Sequence, residues 1–316
     1  MKKYHVKNII SFIKAPYQII GDQNEKYFTH LRPVHEADFN ALVFISPEKK
    51  NKQDLALQTK ASIVICDHSI CISTEMAARK CFVVVDNPKL VFAMVGSNLF
   101  GPQVKFGVHP TACIHPEAKV HSKTYIGPFT YIGKSEIDEG VIIFGNCHIY
   151  DGVRIGKNVI INAGCVIGSS GFGYLRDENG ISINFPHVGG VIIENNVEIG
   201  ANSCIDRGAL SDTVLKEGAK IDNLVHIAHN VIVGKHSYVI AQAMVGGSTI
   251  LGDFSWIAPS AVLRDQIKIG NKAIIGLGAV VTKNVPENEI WAGSPARPLK
   301  EFLSLQEKIK NFPTTP

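Results

Sequence analysis

The segment "IDNLVHIAHNVIVG", residues 221–234, holds two imidazoles three residues apart, His226 and His229. Histidine, with an unperturbed pKa of about 6.5, is the side chain best suited to take and return a proton near neutral pH. Eighteen residues beyond His229 stands Gly247, in the pair Gly246-Gly247. A glycine pair leaves backbone N–H groups uncovered, and an uncovered N–H is a ready donor to an oxyanion. Asp222 lies seven residues before His229 and could orient or tune an imidazole. Base, oxyanion donor and carboxylate are the parts that acyl transfer needs. The same residues also suit a hydrogen-bonded turn histidine beside ordinary glycines, and their spacing alone leaves both readings open.

A repeat must position them. From Leu215 through Ile221, Ile227 and onward to Val281, twelve aliphatic residues fall six apart. The same beat runs from Ile114 to Ile132 and from Ile137 to Ile167, and returns at Ile193, Ile199 and Ile205. A period of six fits neither an amphipathic helix nor a hairpin sheet. It is the hexapeptide signature of a parallel β-helix, in which three short strands and three turns close a triangular coil. The aliphatic residue points inward, and the glycine that often follows it, as at Gly200, Gly234 and Gly252, is expected to supply the turn conformation. At an interstrand spacing of ~4.8 Å, the repeat makes a prism of roughly eight coils, on the order of 40 Å tall. The fold class is therefore mainly β. A small α/β domain is expected over residues 1–105, the β-helix over 106–296, and a helical extension over 297–316. In that extension Leu299, Phe302, Leu303 and Leu305 are expected on one side.

Two breaks interrupt the beat. The longer, between Ile167 and Ile193, contains "SSGFGY" and the turn-like "RDENG". Its Phe172 and Tyr174 either contact a substrate or neighbouring subunit, or anchor a surface insertion. The shorter, "DRGALSDT", adds four residues, and its Asp206 and Arg207 read as structural stitching.

Composition excludes several classes. The 316 residues are 45% hydrophobic and 19% charged with a formal net charge of +4, which fits a globular chain and not a nucleic-acid binder. The seven cysteines form no CxxC pair, which argues against a zinc site or disulfide framework and for a reducing cytoplasm. No apolar run is long enough to span a membrane, and the N-terminus lacks the continuous apolar run of a signal peptide.

The pieces "GSSGFGY", "VEIGANSCIDRGALSDT", "IDNLVHIAHNVIVG" and "GSPARPLKEFL" together resemble the UDP-3-O-acylglucosamine N-acyltransferases of lipid A biosynthesis. A weaker resemblance covers the N-terminal domain. It implies a left-handed β-helix and a homotrimer with active sites between adjacent prisms. It also implies transfer of a 3-hydroxyacyl group from acyl carrier protein to the 2-amino group of a UDP-linked, 3-O-acylated glucosamine. No cofactor beyond the thioester co-substrate and no catalytic metal is implied. His229 matches the family's general base and Gly247 its oxyanion donor, with Asp222 in support. Phe44, Phe172, Tyr174, Asn223 and Gln266 are the expected substrate-binding positions. His226, His187 and His236 read as incidental.

This sequence departs from the family at three places, one of them Ser170, which stands where an aspartate is usual. Gln266 stands where a second histidine is usual, with Arg264 nearby to supply charge. After Phe44 the chain reads "ISPEKK", without the asparagine and tyrosine that complete a uracil clamp. Two other readings follow: an acetyl-CoA-dependent N-acetyltransferase of another nucleotide-linked amino sugar, and a non-catalytic β-helix scaffold. Residues 277–280 are expected near an acyl groove.

Overall fold

The computed structural model describes residues 2–101 and 104–310. Residues 1, 102–103 and 311–316 of the segments expected above lie outside the described residues. The chain divides into two compact units, residues 1–103 and 104–316.

The first unit contains, in order, α1 (Val6–Ile10), β1 (Gln18–Ile20), β2 (His30–Leu31), β3 (Ala41–Phe44), α2 (Lys52–Gln58), β4 (Ile63–Cys66), α3 (Thr74–Arg79), β5 (Cys81–Val84) and α4 (Pro88–Phe100). The sheet order is β1-β5-β4-β3-β2. Strands β2 to β5 run parallel, and β1 pairs antiparallel at the edge. All four residues of β4 are buried, as a central strand covered on both faces requires. At the start of α4, Pro88 occupies the first turn and the Asn87 side chain accepts from Leu90 N at 3.0 Å, the favoured way to begin a helix.

Lys80 is buried, and its Nζ donates to the carbonyls of Ala56 (2.8 Å) and Leu57 (2.6 Å) at the end of α2. Those carbonyls lie where a helix runs out of its own donors. Burial, with Arg79 beside it, holds the ammonium below the usual lysine range. Lys80→Met withdraws the donor, and urea unfolding should show a loss of about 1–3 kcal/mol.

The second unit winds from Gly107 to Val281 as strands of two to four residues which, apart from one inserted hairpin, pair in parallel with strands one coil away. Ile227, Val245, Leu263 and Val281 stack in one column. Three sheets of nine, eight and eleven strands result. The inward aliphatic residues form one continuous core, and each fully buried side chain contributes roughly 1.5–3 kcal/mol.

The turns correct one expectation. Gly168 apart, the left-handed conformation does not fall on the glycines that follow the inward residue. It falls three residues after that residue, at Leu224, Asn230, His236, Gln242, Ser248, Phe254, Ser260, Gln266 and Lys272, with φ between 54° and 63°. The glycines are needed for space. A Cβ at Gly234 would lie 2.4 Å from the Gly252 carbonyl carbon, and one at Gly252 would lie 2.5 Å from Asn271 N. Adjacent coils approach too closely at that junction to admit a side chain.

The longer break is not plain loop. Tyr174–Arg176 and Ser182–Asn184 pair as an antiparallel hairpin, and Asp177 Oδ1 ties its turn by accepting from Asn179 N and Ile181 N. At the C-terminal end, α5 (Leu299–Lys310) packs the Phe302 ring over Gly293, where a Cβ would lie 2.6 Å from the ring. The apolar side expected of this helix is split. Leu299 and Phe302 are half-buried, whereas Leu303 and Leu305 are exposed. Among the described residues, no helix is long and apolar enough to cross a membrane.

Candidate active site

His229 sits at the corner that follows the strand His226–Ile227, and Gly246-Gly247 follow the next strand of the same sheet, Met244–Val245. Stacking of the coils brings Gly247 against the imidazole. A Cβ at Gly247 would lie 2.8 Å from both Nε2 and Cε1 of His229. On the other side, a Cβ at Gly171 would lie 2.9 Å from His229 Cβ and Cδ2. The ring is thus held between two stretches of bare backbone.

Hydrogen bonds fix its tautomer. His229 Nδ1 lies 3.0 Å from Asn230 Oδ1. That oxygen also accepts from Ala209 N at 3.0 Å, while Asn230 Nδ2 donates to the Ser211 carbonyl (3.0 Å) and hydroxyl (2.9 Å). A backbone N–H can only donate, so the Asn230 atom facing it is the oxygen. His229 Nδ1 must then carry the proton, and the lone pair is on Nε2, the nitrogen beside Gly247.

The Gly247 N–H makes no hydrogen bond among the described residues, although the Gly247 carbonyl accepts from Gln266 N at 2.8 Å. At the matching position of other turns a side chain fills this role. Lys235 N donates to Asp253 Oδ1 and Asp253 N donates to Asn271 Oδ1, both at 2.8 Å. A basic nitrogen beside an unpaired N–H can take a proton and stabilise an oxyanion in one place.

The two groups open into a cleft of about 640 Å³, with an apolar wall that includes Phe172, Met244, Val262 and Val280 and a polar wall that includes Arg264 and Gln266. A depression of about 700 Å³ on another sheet face is lined in part by Lys119, Glu136 and Arg154. Those charges are already paired, Lys119 with Glu136 at 2.7 Å and Arg154 with Asp212 at 2.6 Å, so the cleft at His229 is the better place for chemistry.

Beneath that cleft lies Asp206, 6% exposed. Its Oδ1 accepts from Ser169 Oγ at 3.2 Å, and its Oδ2 lies 3.5 Å from His226 Nε2. Burial pushes its carboxyl above the usual range. His226, the Ser169 hydroxyl, His229 and His187 oppose that shift, in that order. The His187 ring meets the His229 ring edge-on at 5.1 Å. His187 Nδ1 lies 2.9 Å from the Phe185 carbonyl, and its buried Nε2 has no hydrogen-bond partner among the described residues.

A model of the bacterial transferase hexapeptide (six repeats) matches residues 134–169. A UDP-3-O-acylglucosamine N-acyltransferase of Caulobacter vibrioides is 35% identical over 295 residues, covering 88% of this chain and 86% of that one. The chain belongs to the UDP-3-O-acylglucosamine N-acyltransferase family. Relatives of the same name from Caulobacter sp. (46% identical over 149 residues, 47% of this chain) and Wolinella succinogenes (41% over 170 residues, 54% of this chain) match a shorter segment. Across it the chain spans only about half of their length, 44% and 54% respectively. Two solved UDP-N-acetylglucosamine acyltransferases share the fold, each with a TM-score of 0.54. One is 22% identical and covers 66% of this chain and 85% of its own. The other, from Campylobacter jejuni, is 21% identical and covers 66% and 86%. The second unit is the left-handed parallel β-helix of these acyltransferases.

Within this member of the UDP-3-O-acylglucosamine N-acyltransferase family, the chain gathers His229, Gly247, Phe172 and Gln266 in one cleft. The others lie elsewhere. Tyr174 stacks edge-on against Phe172 at 5.0 Å but stands on the hairpin. Within the single chain Asp222 does not meet His229. Its oxygens accept from Asn223 N (2.7 Å) and Ala241 N (3.1 Å). Seven residues are one hexapeptide plus one, and a hexapeptide step moves to the next corner of the triangle. Asn223 caps Ala201 N at 2.7 Å and, with Asp222 and Tyr238, lines a separate groove of about 450 Å³. Phe44, in the first unit, ends β3 with its ring 4.8 Å from Phe92. Of the expected groove residues, Val280 lines the cleft and Leu277 is exposed.

The residues that sequence reading missed are Asn230, Asp206, His226 and His187. Asn230 adjoins His229, and its amide was the available signal. Asp206 was hidden by the four-residue insertion, which pairs Cys204 with His226 across 22 residues where the regular coil has 18.

Proposed function

We propose that this protein transfers a 3-hydroxyacyl group from acyl carrier protein to the 2-amino group of a UDP-linked, 3-O-acylated glucosamine. The observation that carries this reading is the His229 Nε2 lone pair held against Gly247, whose N–H is unpaired among the described residues, inside a partly apolar cleft. The amine attacks the thioester carbon while His229 takes its proton. The Gly247 N–H donates to the oxygen that becomes negative. Collapse breaks the carbon–sulfur bond, and the imidazolium returns the proton to sulfur. The acyl group passes directly to nitrogen, with no acyl-enzyme and no cofactor beyond the thioester.

The working unit is a homotrimer in this reading. Tyr238, Trp256 and Ile274 form an exposed ladder on one sheet, and Met244 and Val262 form another on the next. Two different apolar faces that meet head-to-tail close a ring when the rotation between copies closes on itself. Such a ring would bring Asp222 and Asn223 of one copy toward His229 of the next. Sedimentation should give three times the chain mass. A donor carried by acyl carrier protein, and seven free cysteines, favour a cytoplasmic setting.

The deciding assay pairs purified protein with 3-hydroxyacyl-acyl carrier protein and UDP-3-O-acylglucosamine, beside acetyl-CoA and a panel of nucleotide amino sugars. Transfer from the carrier protein supports the reading. Transfer from acetyl-CoA alone moves the protein to the sugar N-acetyltransferases. The tautomer has its own test in Asn230→Asp, which keeps a residue type that tolerates the left-handed turn. A carboxylate there favours the imidazolium, so the acid limb of kcat/KM moves to higher pH. An unchanged limb would mean that residue 230 does not bear on the base.

A further inference from the structure

The acceptor amine enters water at neutral pH largely as an ammonium, and forming an amide from it takes two protons off nitrogen. The balanced change is R–NH3+ + R′CO–SR″ → R′CO–NH–R + R″SH + H+. One proton ends on sulfur, carried there by His229. The other must leave before nitrogen has a lone pair to attack with. His229 has one free nitrogen and cannot hold both.

We propose that His226, paired with Asp206, is the second base of the cleft and takes the first proton from the acceptor's ammonium. This rests on the acyl-transfer reading above. Both residues line the same cleft as His229 and Gly247. His226 is 44% exposed along its side chain, so it can pass a proton on to water between turnovers. Asp206 Oδ2, 3.5 Å from His226 Nε2, stabilises the imidazolium that forms, as a carboxylate behind a histidine does.

The surroundings of the pair are specific. Asp206 faces Ser169, His226, His229 and His187. Its neighbour Arg207 is turned away and donates to the carbonyls of Gly168 and Asp151. No lysine or arginine pairs with Asp206 among the described residues. Cys204 and Met244 flank His226 on its sheet. Burial and Asp206 raise the Cys204 thiol, which therefore stays neutral. Arg264 and Asp265 also line the cleft.

Folding does not explain the carboxylate. A carboxyl raised on folding stabilises the fold below its unfolded value and loses that contribution as pH climbs through the raised value. Ionisation of the buried Asp206 therefore adds nothing to the fold, and Asp206→Asn should melt no lower than the wild type.

The test is the pH dependence of kcat/KM for wild type, His226→Gln and Asp206→Asn, with 3-hydroxyacyl-acyl carrier protein and UDP-3-O-acylglucosamine. Below the pKa of the acceptor ammonium the wild type should hold a plateau, because the enzyme removes the proton itself. His226→Gln must wait for free amine, so its kcat/KM should fall about tenfold per pH unit there and rejoin the wild type above that pKa. Asp206→Asn should move the same way. An aminooxy acceptor, unprotonated at neutral pH, should abolish the difference. Superimposable profiles, or a loss uniform across pH, would overturn the inference while leaving acyl transfer intact. A wild type silent with this donor and acceptor would sink the acyl-transfer reading, and the second base with it.

Discussion

Replacing His229 with alanine is expected to lower kcat/KM by about 10²–10⁴-fold, the usual contribution of a positioned general base. The loss should fall on kcat, because the imidazole acts as the amine becomes bonded to carbon and not when the substrates dock. The fold should survive. His229 is half-buried and lies outside the aliphatic column, so its removal opens space at the cleft and not in the core. Thermal unfolding should shift by no more than about 1 kcal/mol. Steady-state kinetics on the folded variant decide the matter, and retention of a tenth or more of wild-type kcat/KM would remove His229 from the mechanism.

Gly247→Ala is expected to be almost as damaging, for a different reason. Gly247 is not among the glycines with a left-handed φ, so the backbone accepts alanine. The new Cβ would instead sit 2.8 Å from His229 Nε2 and Cε1, closer than real Cβ contacts come. The ring must swing away, carrying the lone pair from its place beside the Gly247 N–H. Loss of one oxyanion donor alone lowers kcat by about 10²–10³-fold, and displacement of the base adds to it. Gly234→Ala is the matched control. It carries no chemistry, but its Cβ would lie 2.4 Å from the Gly252 backbone, so it should lower the melting temperature and not selectively lower kcat. If Gly247→Ala keeps wild-type kcat at full stability, the oxyanion assignment fails.

The sequence alone determined the architecture. Aliphatic residues held six apart over twelve positions admit one economical structure, because a triangular coil returns every third hexapeptide to the same face. The arithmetic of eighteen also placed Gly247 over His229, and the coil register bears that out. Counting failed wherever the beat broke or a corner turned. Asp222, one residue more than a hexapeptide from His229, fell at another corner. Asp206 lies under the cleft on the regular beat, but an insertion of four residues after it put its coil partners 22 residues away and hid it from a count of eighteen. The turn glycines, read as conformational, were spacers, since six-residue periodicity says which residues face inward but not how closely adjacent backbones approach. The proton on His229 Nδ1 was decided by Asn230, whose amide is oriented by Ala209 and Ser211 some twenty residues away in the chain. Periodic burial is a local property that a sequence displays openly. Hydrogen-bond direction and the company a buried carboxylate keeps depend on which segments meet in space, and only the tertiary structure decides that.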